Sequence, residues 1–151
     1  MPPAAPPALI EVDRDLVVSL RLAVGRLARR LRQQTEGEVT ASQFSALSSI
    51  GHLGPITLGK LASVERLRPP TVTRTVSAME ESGLVLRRPD PVDRRICRVE
   101  ITDLGRDLLE RSRTRKDAYL ATRLATLGPD ELDVLRDATA VLERLLEEER
   151  S

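Results

Sequence analysis

The sequence predicts a mainly α-helical chain of about six helices that carries a small antiparallel β-wing of two to three strands. Three observations predict it. A short amphipathic segment starts at Pro70 and ends at Gly83. A charged hairpin follows from Val85 to Ile101. Apolar residues at helical spacing run through both ends of the chain.

Residues 1–8 are rich in proline and alanine and read as a disordered tail. A first helix is expected from about Leu9 to Gln34, with Leu16, Leu20, Ala23, Leu27 and Leu31 as its apolar stripe. Thr40-Ala41-Ser42-Gln43 has the form of a capping box, which opens a second helix through about His52. Gly54-Pro55 ends it. Ile56 suits a one-bridge strand beside the wing, and Thr57 can cap a third helix from Leu58 to about Val64.

The next helix rests on local rules. Pro70 suits a first helical position, where a missing N–H costs nothing. Gly83 suits the left-handed residue after the last turn. Val72, Val76 and Met79 recur at i, i+4 and i+7 and form one stripe. At about 100° per residue, Pro70, Arg74 and Ser77 face the other way, with Thr71 and Thr73 on the flanks. The outward face is short, polar and cationic. Alone it reads as a solvated helix face; the hairpin after it changes that reading.

The hairpin runs Val85-Leu86-Arg87-Arg88, then Pro89 to Arg95, then Ile96 to Ile101. Cys97, Val99 and Ile101 alternate with Arg98 and Glu100, so Cys97 is expected to point inward as a small core residue. Prolines and aspartates make the turn. Arg94 and Arg95 sit at its tip, and Asp93 can pair with one of them and fix its direction. Helix, turn, helix and hairpin in this order compose a winged helix-turn-helix. Such a unit sets one helix in a DNA major groove and a loop beside it. Arg74 can bond guanine bidentately, Thr and Ser can reach phosphate or base edges, and a wing arginine can enter a narrow minor groove.

Thr102 can cap a fifth helix. Its middle, residues 111–117, is polar and is expected to cross solvent; Tyr119, Leu120 and Leu124 are apolar again. Gly128-Pro129 separates it from a last helix, Glu131 to about Glu148. There Leu135, Ala138, Leu142 and Leu145 are flanked by Val134, Val141 and Leu146. The wide apolar faces of the first and last helices need a cover, which a homodimer supplies and an internal bundle would supply otherwise. The division expected is a winged domain over residues 40–105, a helical dimerisation region over 9–35 and 119–150, and a linking helix over 103–127.

The net charge of +1 does not suggest DNA binding, but its distribution does. Residues 1–59 carry +1, residues 60–98 carry +4 and residues 99–151 carry −4. The positive charge lies on the winged unit, where phosphate contact needs it. Enzymatic readings find little support. The chain has one histidine, His52, and one cysteine, so no metal cluster or disulfide framework is expected. No phosphate-loop or dinucleotide pattern is present, and no cofactor is expected. No apolar run reaches membrane length, and a cytoplasmic location is expected.

Residues 72–105 resemble the multiple-antibiotic-resistance regulator (MarR) family. The resemblance lies in Thr71-Val72-Thr73-Arg74, in Glu80-x-x-Gly83-Leu84-Val85, in Arg87-Arg88-Pro89-x-Pro91-x-Asp93-Arg94-Arg95 and in Ile101-Thr102-x-x-Gly105. One departure stands out. Family members often carry a hydroxyl residue before the recognition helix, and here that place holds Arg68, followed by Pro69-Pro70; Arg68 becomes a further candidate DNA contact. The resemblance implies a transcriptional regulator, a repressor, that binds double-stranded DNA as a homodimer. The candidate contacts are Arg68, Pro70, Thr71, Thr73, Arg74, Ser77, Asp93, Arg94 and Arg95. It also implies a small aromatic or lipophilic effector, in a pocket lined by the first, second and fifth helices. A thiol-sensing or ligand-independent regulator stays open as an alternative, as does a helical interaction module with no DNA role.

Overall fold

Short-range capping rules place most of the helices in the computed structural model, which describes residues 13–35 and 37–147. The expected tail and the first four residues expected in the first helix lie outside them. Asp13 caps α1 (Arg14–Gln33), its carboxylate accepting from the Asp15 amide at 2.9 Å. Thr40 and Gln43 form the full capping box of α2 (Ala41–Leu53), and Gly54 closes it. Thr57 caps α3 (Leu58–Glu65) through the Lys60 amide at 3.2 Å. α4 (Pro69–Glu81) follows after a turn whose Arg66 takes a left-handed φ of 54°. Thr102 caps α5 (Asp103–Leu124), and α6 (Pro129–Glu147) completes the chain. Pro129 begins that helix rather than separating it from its neighbour, as suits a residue without an N–H.

Three short strands form one antiparallel sheet in the order β1-β3-β2: β1 (Ile56–Thr57), β2 (Val85–Pro89) and β3 (Cys97–Ile101). Ile56 pairs with Val99, and the hairpin register runs from Val85 opposite Ile101 to Pro89 opposite Cys97. The core lies between this sheet and α2, α3 and α4. Leu47 and Ile50 come from α2, Leu61 from α3, and Val72, Val76 and Met79 from α4, all essentially excluded from solvent.

Two expectations need correction. Cys97 is exposed, whereas Val99 and Ile101 are buried. The alternation holds only where α-helices cover the sheet; at Cys97, opposite Pro89, the hairpin has outrun the core. The middle of α5 is exposed at Arg111, Arg113, Thr114, Arg115 and Asp117, as expected, but Ser112 within it is buried and continues the packed stripe of Gly105 and Leu108, spaced i, i+3 and i+7. Beside them Arg111 and Arg115 both reach Glu38, at 3.7 and 3.0 Å, and Lys116 sits 4.2 Å from the Phe44 ring centroid. The charges flank a packed stripe, which the run of polar letters hid.

The terminal helices behave otherwise. No residue of α1 or α6 is buried, and Leu16, Leu27, Val134, Leu145 and Leu146 are each about half exposed or more. No helix among the described residues is long and apolar enough to cross a membrane.

Candidate nucleic-acid interface

The start of α4 is built without a side-chain cap. Pro69 and Pro70 bring no N–H, which removes two of the four donors a helix start leaves open. The Thr71 and Val72 amides turn back onto the Arg68 carbonyl at 3.0 and 3.2 Å. The Arg68 guanidinium has no acceptor with which to cap a helix start, and the side chain is exposed. The far end is a Schellman closure: the Gly83 amide donates to the Glu80 carbonyl at 3.0 Å and the Leu84 amide to the Met79 carbonyl at 2.9 Å. Gly83 has φ 73°, the left-handed region that such a closure demands.

Val72, Val76 and Met79 face the core, so the opposite side of α4 faces solvent. Pro70, Thr71, Thr73 and Arg74 are all exposed there. The Thr73 hydroxyl donates to the Pro69 carbonyl at 3.0 Å and keeps a lone pair for another donor. Ser77 sits differently. It is half-buried, and its hydroxyl accepts from the Arg87 guanidinium of β2 at 2.9 Å, leaving its own proton free to donate. Arg87 also lies 3.4 Å from Glu80, so one wing arginine ties β2 to α4.

At the wing, Asp93 holds Arg95 in a two-pronged pair. Both side-chain contacts are 3.0 Å, and the Arg95 amide donates to the same carboxylate at 3.1 Å. The Arg95 hydrogen bonds hold the Asp93 carboxyl below its ordinary range, and the same pair raises Arg95. Arg95 nevertheless stays 90% exposed along its side chain: it is aimed, not buried.

Asp90 organises this tip, a role that sequence reading missed. It is 6% exposed. One carboxylate oxygen accepts from the Val92 and Asp93 amides at 2.9 and 3.0 Å, and the other pairs with the Arg98 guanidinium. The Asp90 amide donates to the Ile96 carbonyl at 2.8 Å, and the Ile96 amide to the Asp93 carbonyl at 2.9 Å. The Asp93 amide and the Arg98 bond lower the Asp90 pKa from 3.8 to about 2. The sign follows from the lowered native pKa: this contribution to wing stability is complete above pH 3.8 and is lost as pH falls through about 2. The Val92 and Asp93 amide resonances should therefore keep their folded positions through pH 3.8 and move together only as pH falls through about 2. Asp90→Asn should abolish that step. A step that persists in the variant would assign it to another group.

Arg87, Arg88, Arg95 and Arg98 each face a carboxylate, of Glu80, Glu100, Asp93 and Asp90 respectively. Among the described residues Arg68, Arg74 and Arg94 form no ion pair. Arg74 lies on α4, Arg68 at its entry, and Arg94 and the aimed Arg95 at the wing tip. A separate cavity of about 530 Å³ opens between the end of α1, the following loop, α2 and α5, lined by Arg32, Val39, Phe44, Ser45, Ser48 and Lys116 among others.

A family model described as the MarR family matches residues 39–97, from the start of α2 to the second wing strand. A helix-turn-helix-type transcriptional regulator of Mycobacterium leprae is 38% identical over 141 residues, which is 93% of this chain and 99% of the relative. One from Mycobacterium tuberculosis shows the same identity and coverage. A crystal structure from Pseudomonas aeruginosa superposes with a TM-score of 0.80 at 32% identity, over 87% of this chain and 94% of that one. A MarR family protein of Bacillus stearothermophilus gives 0.74 at 27%, over 88% and 94%. The identity spans nearly the whole chain, the superposition reproduces the winged unit, and such relatives regulate transcription rather than catalyse reactions: the chain belongs to the MarR family of helix-turn-helix transcriptional regulators.

Proposed function

We propose that the protein is a repressor that binds a near-palindromic operator as a homodimer. The observation that carries this reading is the placement of charge: residues 60–98, which hold α4 and the wing, carry +4 in a chain whose net charge is only +1, and the wing-tip Arg95 is held outward by Asp93. In this reading α4 enters the major groove. Arg74 reads base edges, Thr71, Thr73 and Ser77 reach bases or phosphate, and Pro70 lets the helix start approach closely. Arg68 meets phosphate at the rim. The wing lies along the adjacent minor groove, with Arg95 inserted, Asp93 orienting it and Arg94 on the backbone.

The dimer reading is supported by the uncovered α1 and α6. An internal bundle would bury their stripes, and the single chain leaves them in solvent. A two-fold pair of these helices would present two recognition helices to two half-sites.

The cavity supports release by a small ligand. Its walls come from α1, α2 and α5, and it offers the Phe44 ring with the Lys116 ammonium over it and Arg32 nearby. The Lys116 and Arg32 cations beside the Phe44 ring suit an aromatic or lipophilic acid. Such a ligand acts only if it binds one spacing of the recognition helices better than the other.

A gel shift on the DNA upstream of the protein's own gene tests the reading, with wing variants to give it resolution. Wild type should shift that DNA. Arg95→Ala should bind more weakly and lose preference for A·T-rich flanks, while preference within the half-site persists. Asp93→Ala should also weaken binding, although removing a negative charge near DNA favours binding by Coulomb's law alone. Tighter binding by Asp93→Ala would reduce the wing to an unoriented basic loop.

A further inference from the structure

The Thr102-x-x-Gly105 pair has a task beyond capping α5. Gly83 and Leu84 form a two-residue splice. Their amides close the end of α4, donating to the Glu80 and Met79 carbonyls. Their carbonyls receive the start of α5: the Thr102 hydroxyl donates to the Gly83 carbonyl at 2.6 Å, and the Thr102 amide to the Leu84 carbonyl at 3.0 Å. The same hydroxyl accepts from the Gly105 amide at 3.1 Å, so one oxygen serves both helices. Gly105 lets the two backbones close up. A β-carbon there would stand 2.3 Å from the Leu84 carbonyl oxygen and 2.7 Å from Ile101 Cγ1. Backbone cannot swing aside as a flexible side chain can. No peptide group of Gly83 or Leu84 is left free to let the joint turn.

The consequence is mechanical. α5 has 22 residues and, at 1.5 Å per residue, spans about 33 Å. It carries Arg111 and Arg115, which hold Glu38, and Lys116 at the cavity. At its head it is fastened to the end of the recognition helix. A rotation of α5 is therefore passed to α4 instead of being absorbed at a flexible turn.

We infer that Thr102 and Gly105 are positioning residues: they fix the angle between α4 and α5 and so determine which separation of DNA half-sites the protein accepts. They touch no base. The inference rests on the dimeric operator reading proposed above, and the test keeps the two apart. The DNA site that wild type selects from a random duplex pool is remade with its half-sites one base pair closer and one base pair further apart. Wild type should bind the selected separation roughly tenfold or more tighter than either neighbour, since one step shifts a half-site by about 3.4 Å and rotates it around the duplex. Thr102→Val keeps the shape and removes both hydroxyl bonds. It should remain folded and dimeric, keep its penalty for base changes inside a half-site, and bind the three separations within about threefold of one another. Thr102→Ser should restore the wild-type discrimination. Gly105→Ala should lose it more completely, or lose α5 docking altogether, which circular dichroism separates. A folded, dimeric Thr102→Val that discriminates as wild type does would overturn the joint. A wild-type protein that is monomeric, or selects no two-fold site, would overturn the operator reading and the joint with it.

Discussion

Replacing Leu145 by aspartate is expected to convert a dimer of twice 16.7 kDa into a folded monomer that no longer binds its operator tightly. Leu145 is 54% exposed in the single chain, so the winged unit does not depend on it. In a two-fold interface it is buried twice. Fully burying a leucine contributes about 1.5–3 kcal/mol, of which roughly half per copy remains to be gained at the interface. An unpaired carboxylate in its place costs several kcal/mol more. At tenfold per roughly 1.4 kcal/mol, the two copies together weaken dimerisation by about 10³-fold or more. Leu142 is a poorer test because it is half-buried within its own chain. Sedimentation at micromolar concentration reads the mass, and far-ultraviolet circular dichroism confirms the fold. A Leu145→Asp protein that stays dimeric would place the interface elsewhere.

Arg74→Ala is expected to produce the largest loss in DNA affinity of any single substitution on α4. Arg74 stands at the centre of the exposed face and forms no ion pair among the described residues, so its guanidinium loses no partner on meeting a base. A bidentate contact is worth about 1–3 kcal/mol, or roughly five- to 150-fold per half-site. The fold should not change, since the buried side of α4 is Val72, Val76 and Met79. Arg68→Ala should act in the same direction but less, and equally on all sequences, as expected of the phosphate contact proposed for it. Fluorescence anisotropy against the selected site and against base-substituted sites distinguishes the two. Unchanged affinity in Arg74→Ala would remove it from the contact set.

What was legible in the sequence was what local chemistry decides. Pro70, Gly83 and the i, i+4, i+7 stripe placed α4, whose start lies at Pro69, one residue earlier than expected. Thr40, Thr57 and Thr102 each cap the helix assigned to them, and Ile56 does pair with the wing. What was not legible depends on register and depth. Alternation put Cys97 on the face of Val99 and Ile101, but could not say that the core ends before it. Two aspartates stand in the wing, and nothing local distinguishes the half-buried one that holds Arg95 from the buried one. Asp90 is buried because antiparallel pairing from Val85–Ile101 to Pro89–Cys97 brings Arg98 beside it. Helical periodicity turns Ser77 outward, but its bond to Arg87 crosses from helix to strand and is not visible along the helix alone. Ser112 looked solvated amid charges, yet its small side chain continues the Gly105 and Leu108 stripe.

Stoichiometry on DNA decides whether the protein reads its operator as a dimer. The duplex that wild type selects should be titrated with protein at concentrations well above the dissociation constant, and the complex weighed by sedimentation. The account predicts two chains per site, each of 16.7 kDa, and half the affinity lost in logarithmic terms when one half-site is scrambled. One chain per site, with full affinity kept on a single half-site, would contradict it.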